Sequence, residues 1–187
     1  MSSYDDLAAA RGLRSAPGFH PGPLTPLLAE GGSVELAHEG DLIAGVTGTI
    51  GRFRTGRFEF HTVFARVAES QQFVPRLMCV RLGRITSDSH YGFEVRSSRL
   101  WTESVKLNER FKVSVSPFQD DNWLRQLFVP TFIDWLGESS PGDFSFELAY
   151  GSLLCSVEED DPDPQTLAAL WDAAATVTTR IRDESSE

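Results

Sequence analysis

The stretch RFEFHTVFARVA, residues 57–68, decides the fold class because its side chains alternate along the chain. Phe58, Phe60 and Phe64 fall on one side of an extended strand, and Val63 falls on the other. Both sides are largely apolar. We therefore expect a central strand that is covered on both faces.

The same alternation predicts further strands before and after this stretch. An earlier pair of strands is expected to turn at residues 39–41, where a glycine stands between two acidic residues. Later strands are predicted at residues 73–82, 91–95 and 110–115, and a β-hairpin is predicted at residues 143–157 with its turn at Tyr150 and Gly151.

Helical spacing replaces alternation after residue 120. Acidic residues at 120–121 favour the start of one short helix, and Pro130 is suited to open a second, which ends at Gly137. The last element starts at Asp163 and carries one wide apolar stripe as far as Ile181. The chain is predicted to be α+β, with an antiparallel β-sheet and with two short helices and a C-terminal amphipathic helix packed on one face.

Length and composition predict one domain with an N-terminal appendage. The chain has 187 residues, of which 41% are hydrophobic and 24% are charged. Residues 1–32 are interpreted as an N-terminal arm, made of a short helix at 4–14 and a proline-rich stretch. Residues 33–183 are expected to form the single domain, and residues 184–187 a disordered tail.

Charge and cysteine content restrict the partners and the compartment. There are 17 basic and 27 acidic residues, which gives a net charge of −10 and disfavours nucleic acid. Two separated cysteines fit a reducing compartment, and the acidic N-terminus does not read as a signal peptide. We expect a soluble cytoplasmic protein that has an unknown protein partner or self-associates through an exposed sheet edge.

Motifs for catalysis, metals and cofactors are missing from the sequence. The four histidines are widely spaced, and there is no C-x-x-C pair, nucleophile elbow or phosphate loop. We therefore predict no catalytic residue, no metal ligand and no cofactor.

Three arginines and one histidine form the candidate ligand-binding group. Arg52, Arg54 and Arg57 follow a glycine-containing stretch, residues 45–51, and His61 lies on the next strand. Guanidinium groups bind oxyanions, so this group predicts a site for an anion or an acidic partner. The alternative is a glycine-softened, twisted edge strand with solvated arginines.

Aromatic residues allow two interpretations. The chain has 13 Phe, 4 Trp and 3 Tyr, most of them on predicted inward faces. Core packing is one interpretation. The other is a slot for a flat apolar ligand between the sheet and the helices, which predicts a cavity of a few hundred Å³.

Several short motifs occur in a fixed order between residues 99 and 154. They include N-x-x-F-x-V at 108–113, P-x-x-x-x-W-L at 130–136 and a Phe-rich hairpin after 143. This order resembles a family of uncharacterised bacterial proteins, many of them tethered to a membrane. The present sequence lacks the roughly 20 apolar residues that span a bilayer. The resemblance implies a bacterial protein and brings no catalytic residue, while Phe111 and Trp135 are expected in the core.

These observations favour a non-catalytic binding or protein-interaction module. The alternative is a domain that binds a small molecule, either an anion or a flat apolar ligand, or an enzymatic domain. In that case distant residues assemble the site. A cleft lined by converging polar groups would favour the alternative.

Overall fold

Nine strands in the described part of the chain form one antiparallel sheet. The structure is a computed structural model, and it describes residues 2–21, 31–54, 56, 59–67, 78–82, 96–97, 111–115, 121–149, 151–158 and 161–185. The strands are Arg14–Ser15 (β1), Ser33–Ile43 (β2), Val46–Arg54 (β3), Glu59–Arg66 (β4), Met78–Leu82 (β5), Arg96–Ser97 (β6), Phe111–Val115 (β7), Ser145–Ala149 (β8) and Ser152–Val157 (β9). Their order across the sheet is β1-β2-β3-β4-β9-β8-β5-β7-β6.

Strand β4 confirms the prediction made from residues 57–68. It pairs with β3 and β9, so it lies inside the sheet, and residues 60–65 are all buried. Val63 belongs to the main core on one face of the sheet, whereas Phe60 and Phe64 belong to a smaller cluster on the other face. We call these faces the helix side and the arm side.

The first hairpin turns at Gly45, and the predicted turn at residues 39–41 is wrong. Those residues lie within β2 and pair with β3. Gly45 has a φ of +79°, in the left-handed region that glycine enters without steric cost. Gly40 instead leaves room for the side chain of Leu13, because a Cβ at position 40 would lie 2.6 Å from Cδ2 of Leu13.

Strand β3 lies inside the sheet, so the interpretation of its glycines as a twisted edge is wrong. It pairs with β2 on one side and with β4 on the other. A Cβ on Gly48 would lie 3.0 Å from Cβ of Leu42 and 3.1 Å from Cη2 of Trp171. This glycine therefore admits the indole of the C-terminal helix to the sheet surface.

The two short helices predicted after residue 120 are confirmed, but the second one does not end at the predicted residue. The helices are α1 (Ser3–Arg11), α2 (Asp121–Leu127), α3 (Pro130–Asp134) and α4 (Pro164–Ser185), and α3 continues as a π-helical turn at Trp135–Ser139. Gly137 lies inside that turn and does not end it. The turn ends at Ser140, whose backbone is extended and whose hydroxyl donates a hydrogen bond to the carbonyl oxygen of Leu136 at 2.7 Å.

Helix α4 confirms the predicted amphipathic helix. Asp163 caps it by accepting a hydrogen bond from the backbone N–H of Thr166 at 2.7 Å. This bond holds the pKa of Asp163 below its usual value. The apolar stripe is buried on the helix side of the sheet, and its residues are Leu167, Leu170, Trp171, Ala174, Val177 and Ile181.

The main core on the helix side is closely packed. Among the described residues, side chains from six strands and four helices meet there, and Leu7, Ile50, Val63, Phe146 and Leu153 each expose 2% or less. Phe111 is buried, and Trp135 packs against the core with its ring 5.9 Å from that of Phe144. These contacts agree with the core-packing interpretation of the aromatic residues.

Helix α1 lies in the segment interpreted as an arm, and it packs against the rest of the protein. Its Tyr4, Leu7 and Ala8 are buried. Arg11 donates two hydrogen bonds to the carboxylate of Asp172 on α4, at 2.8 and 3.0 Å. The division of the chain after residues 32 and 183 stays a prediction. The strand predicted at 91–95 lies outside the described residues.

Candidate functional site

The structure places Arg52, Arg54 and His61 together on the helix side of the sheet. Arg52 pairs with His61, and Arg54 pairs with Glu59, across strands β3 and β4. The third predicted arginine, Arg57, lies outside the described residues. The alternation of the two strands thus brings three of the four predicted residues within one cluster.

Two carboxylates hold the arginines of this cluster. Glu35 accepts a hydrogen bond from Nη2 of Arg52 at 2.5 Å, and Glu59 accepts one from Nε of Arg54 at 3.1 Å. The first of these bonds lowers the pKa of Glu35 and raises that of Arg52. Two longer ion pairs, of 3.6 and 3.8 Å, link the same four side chains crosswise. Each carboxylate occupies donors of an arginine, so an anion that approaches Arg52 or Arg54 competes with Glu35 or Glu59.

His61 lies beneath helix α1. It is 3% exposed, and its Nδ1 lies 2.5 Å from the hydroxyl oxygen of Tyr4, with which it shares a hydrogen bond. Burial is the largest cause that raises the pKa of Tyr4, so the phenol stays protonated at neutral pH. The imidazole therefore connects α1 to the sheet.

A cavity of about 310 Å³ lies on the arm side, between the start of the proline-rich stretch and the sheet. We call it the arm cavity, and its lining includes Phe19, His20, Thr47, Thr49, Phe64 and Arg66. The rings of Phe19 and Phe64 are 5.3 Å apart and tilted by 53°. The backbone N–H of Ala16 donates to the carbonyl oxygen of Ala37 at 2.8 Å, which holds the covering segment on β2.

The polar wall of the arm cavity contains two charged side chains in different situations. Glu39 accepts a hydrogen bond from Nε of Arg14 at 2.9 Å, so its charge is compensated. Arg66 donates to the hydroxyl of Ser152 at 3.2 Å and has no carboxylate partner among the described residues. The wall therefore presents one uncompensated cation beside an aromatic floor.

A second concave surface lies between α3 and α4, on the helix side of the sheet. We call it the helix groove. It measures about 450 Å³ and is lined by Thr131, Phe132, Trp135, Ala175, Thr176, Thr179, Arg180 and Asp183. Phe132 and Trp135 stack with their ring centroids 5.8 Å apart. Arg180 is engaged, because its Nε donates to the carbonyl oxygen of Leu127 at 3.1 Å.

Other reactive groups among the described residues are few. No group of three or more His, Cys, Asp or Glu side chains in those ranges is arranged to hold a metal ion. The thiol of Cys155 is buried in β9, and burial raises its pKa, which keeps it protonated and unreactive. None of the described helices is both long and apolar enough to cross a membrane.

Sequence reasoning missed the arm cavity because its residues are far apart in the chain. Arg66 and Ser152 are 86 residues apart, and Phe19 comes from the proline-rich stretch. One local signal existed. Arg66 follows Phe60, Thr62 and Phe64 on the same side of β4, where it is the one charged side chain of that strand face.

The fold defined by this geometry is an α+β fold in which short helices and a long C-terminal helix cover an antiparallel sheet. The same fold is found in the crystal structure of the mycobacterial trehalose monomycolate transport factor A, TtfA. The two align with a TM-score of 0.61 over 97% of this chain and 92% of that chain, at 10% sequence identity. At this identity the similarity shows the fold alone. No protein-family model and no curated protein matches the sequence.

Proposed function

We propose that this chain is a non-catalytic binding module that holds a small, flat, apolar molecule in the arm cavity. The observation that carries the proposal is the pair of rings, Phe19 and Phe64, which border a cavity of about 310 Å³. Small-molecule sites typically have volumes of roughly 300–1,000 Å³ and combine an apolar lining with a few polar groups. The arm cavity has both properties.

The groups that face this cavity are suited to binding. The half-buried ring of Phe19 and the accessible edge of Phe64 offer apolar contacts, and Thr47, Thr49 and Ser152 offer hydroxyls that orient a ligand. The carboxylate of Glu39 is engaged by Arg14. This set fixes the position of a molecule and supplies no activated nucleophile, which favours binding over catalysis.

The name of the structural neighbour supports a binding role. That protein is called a transport factor, and a protein that transports a molecule has to bind it. With 10% identity, the particular molecule named for that protein does not transfer to this chain.

The proposal is tested with N-phenylnaphthylamine, a neutral aromatic dye whose emission rises in apolar surroundings. We expect saturable binding to the wild-type protein. Thr47→Phe fills the cavity from an exposed position of β3 and should weaken binding about tenfold. The matched control is Thr179→Phe, at an exposed position of the helix groove, which should leave binding unchanged.

Circular dichroism first establishes that both variants fold. If the dye does not bind, or if Thr179→Phe weakens binding and Thr47→Phe does not, the proposal is wrong. In the second case the ligand lies in the helix groove.

A further inference from the structure

We propose that the arm cavity selects aromatic molecules that carry an anionic group, and that the guanidinium of Arg66 holds this group. The inference rests on the proposed function and adds the chemical class of the ligand. It follows from the charges around the cavity, taken one at a time.

Arg66 differs from the other sheet arginines whose side chains the structure describes. Arg14 is paired with Glu39, and Arg52 and Arg54 are paired with carboxylates on β2 and β4. Among the described residues, the hydroxyl of Ser152 is the only hydrogen-bond partner of the Arg66 guanidinium. A guanidinium has five N–H donors, so most of its donors remain available to a ligand.

The two acidic residues that the structure describes on the arm side of β2 do not neutralise Arg66. Glu39 is held by Arg14. Asp41 pairs with Thr47 on β3, which places it two strands from β4, a separation of about 10 Å. The net charge of −10 repels anions at long range, so attraction of an anion to this cavity depends on Arg66 itself. The charge of Arg66 is uncompensated among the described residues and lies at the wall of the cavity, which favours an anionic group there.

The spacing of the cavity residues defines the ligand further. Phe64 and Arg66 are two residues apart on one strand, so their side chains leave the same face about 7 Å from each other. Phe64 is 6% exposed, so a ligand ring reaches its accessible edge, and a carboxylate, sulfonate or phosphate attached directly to that ring would lie near the guanidinium. Such oxyanions accept two parallel hydrogen bonds from arginine. The hydroxyls of Thr47 and Ser152 lie beside it as further donors.

The test compares two dyes that differ in one group. Anilinonaphthalenesulfonate carries a sulfonate that N-phenylnaphthylamine lacks. We expect the wild-type protein to bind the sulfonate about tenfold more tightly. Arg66→Gln should lower the affinity for the sulfonate dye about tenfold and so remove this preference. Arg125→Gln, at an exposed position of α2, makes the same change of net charge away from the cavity and should alter neither affinity.

The outcomes separate this inference from the proposed function. If both dyes bind equally to wild type and Thr47→Phe weakens both, the cavity binds molecules and the anion selection is wrong. If Arg125→Gln lowers sulfonate affinity as much as Arg66→Gln does, the preference reflects general charge and the inference is also wrong. If neither dye responds to Thr47→Phe, the proposed function fails and the inference fails with it.

Discussion

The hydroxyl oxygen of Tyr4 on helix α1 lies 2.5 Å from Nδ1 of His61 on strand β4, although 57 residues separate them in the chain. Both side chains are buried. Burying a polar group costs free energy that a hydrogen bond offsets, so this bond stabilises the burial of both side chains. The pair therefore fixes the position of the first helix on the sheet.

Replacing Tyr4 by Phe should destabilise the protein by about 1–3 kcal/mol, because His61 then loses a hydrogen-bond partner in a buried site. Urea unfolding at pH 7 measures the change. A double-mutant cycle with His61→Leu isolates the energy of the pair. Equal free energies of unfolding for Tyr4→Phe and wild type would contradict the prediction.

The protein should lose stability at alkaline pH. Burial raises the pKa of Tyr4, so the unfolded chain releases this proton near pH 10 while the folded protein retains it. The free energy of unfolding then falls above pH 10, by up to about 1.4 kcal/mol per pH unit for one proton. Urea titrations from pH 8 to 11 should show a shallower fall for Tyr4→Phe than for wild type.

The buried thiol of Cys155 contributes in the same direction. Burial raises its pKa as well, so its share of the loss begins near the ordinary thiol pKa of about 8.5. Cys155→Ala should therefore flatten the lower part of the alkaline curve, and Tyr4→Phe the upper part. A curve that neither variant changes would contradict both assignments.

Gly45→Ala should destabilise the first hairpin by about 1–2 kcal/mol, because alanine resists the φ of +79° that the turn requires. The control is Gly142→Ala. Gly142 has ordinary backbone angles and open space where a Cβ would stand, so its variant should be nearly neutral. Thermal unfolding of both variants tests the difference, and similar losses in both would argue against the assigned turn.

Asp163→Ala should weaken the start of α4, whereas Asp163→Asn should preserve the cap, because an amide oxygen also accepts the bond from Thr166. The folded-state pKa of Asp163 is lowered, so the part of its contribution that depends on the charge is present above pH 4 and is lost as the pH falls further. The gap in stability between wild type and Asp163→Ala should therefore narrow below pH 4, whereas the gap between Asp163→Asn and Asp163→Ala should not change with pH. A wild-type gap that stays constant over this range would show that the charge is irrelevant.

Removing the carboxylates from the arginine cluster should uncover an anion site. In the double variant Glu35→Gln and Glu59→Gln, Arg52 and Arg54 lose their ion-pair partners. We expect inorganic phosphate to raise the melting temperature of this variant more than that of wild type. An equal rise in both would show that the carboxylates do not compete, which would support the site predicted at Arg52, Arg54 and Arg57.

The strands and helices that the sequence predicts correctly have a local cause. Alternation along β4 and the stripe of α4 are each encoded within about 20 residues, and burial follows directly from them. The turn at Gly45 was missed because Gly40 looks equally suited to a turn. The contact of Gly40 with Leu13 depends on the N-terminal segment, which no local pattern describes.

The arm cavity could not be predicted for the same reason. It requires Phe19, Arg66 and Ser152 to meet, and their meeting depends on strand order and on the path of the proline-rich stretch. The resemblance to the uncharacterised bacterial family also stays a prediction, since residues 99–110, which carry part of it, lie outside the described ranges. Pairing of two copies through a sheet edge stays a prediction too.

The bond between Arg11 and Asp172 joins the first helix to the last across 161 residues. During synthesis, α1 emerges from the ribosome long before α4 exists. Until α4 is made, α1 lacks the part of its packing surface that α4 provides. Contacts between such distant segments slow folding and prolong the exposure of apolar surface. The nascent chain therefore completes its fold late, and a translational pause before residue 164 would prolong the time during which its apolar surface is exposed.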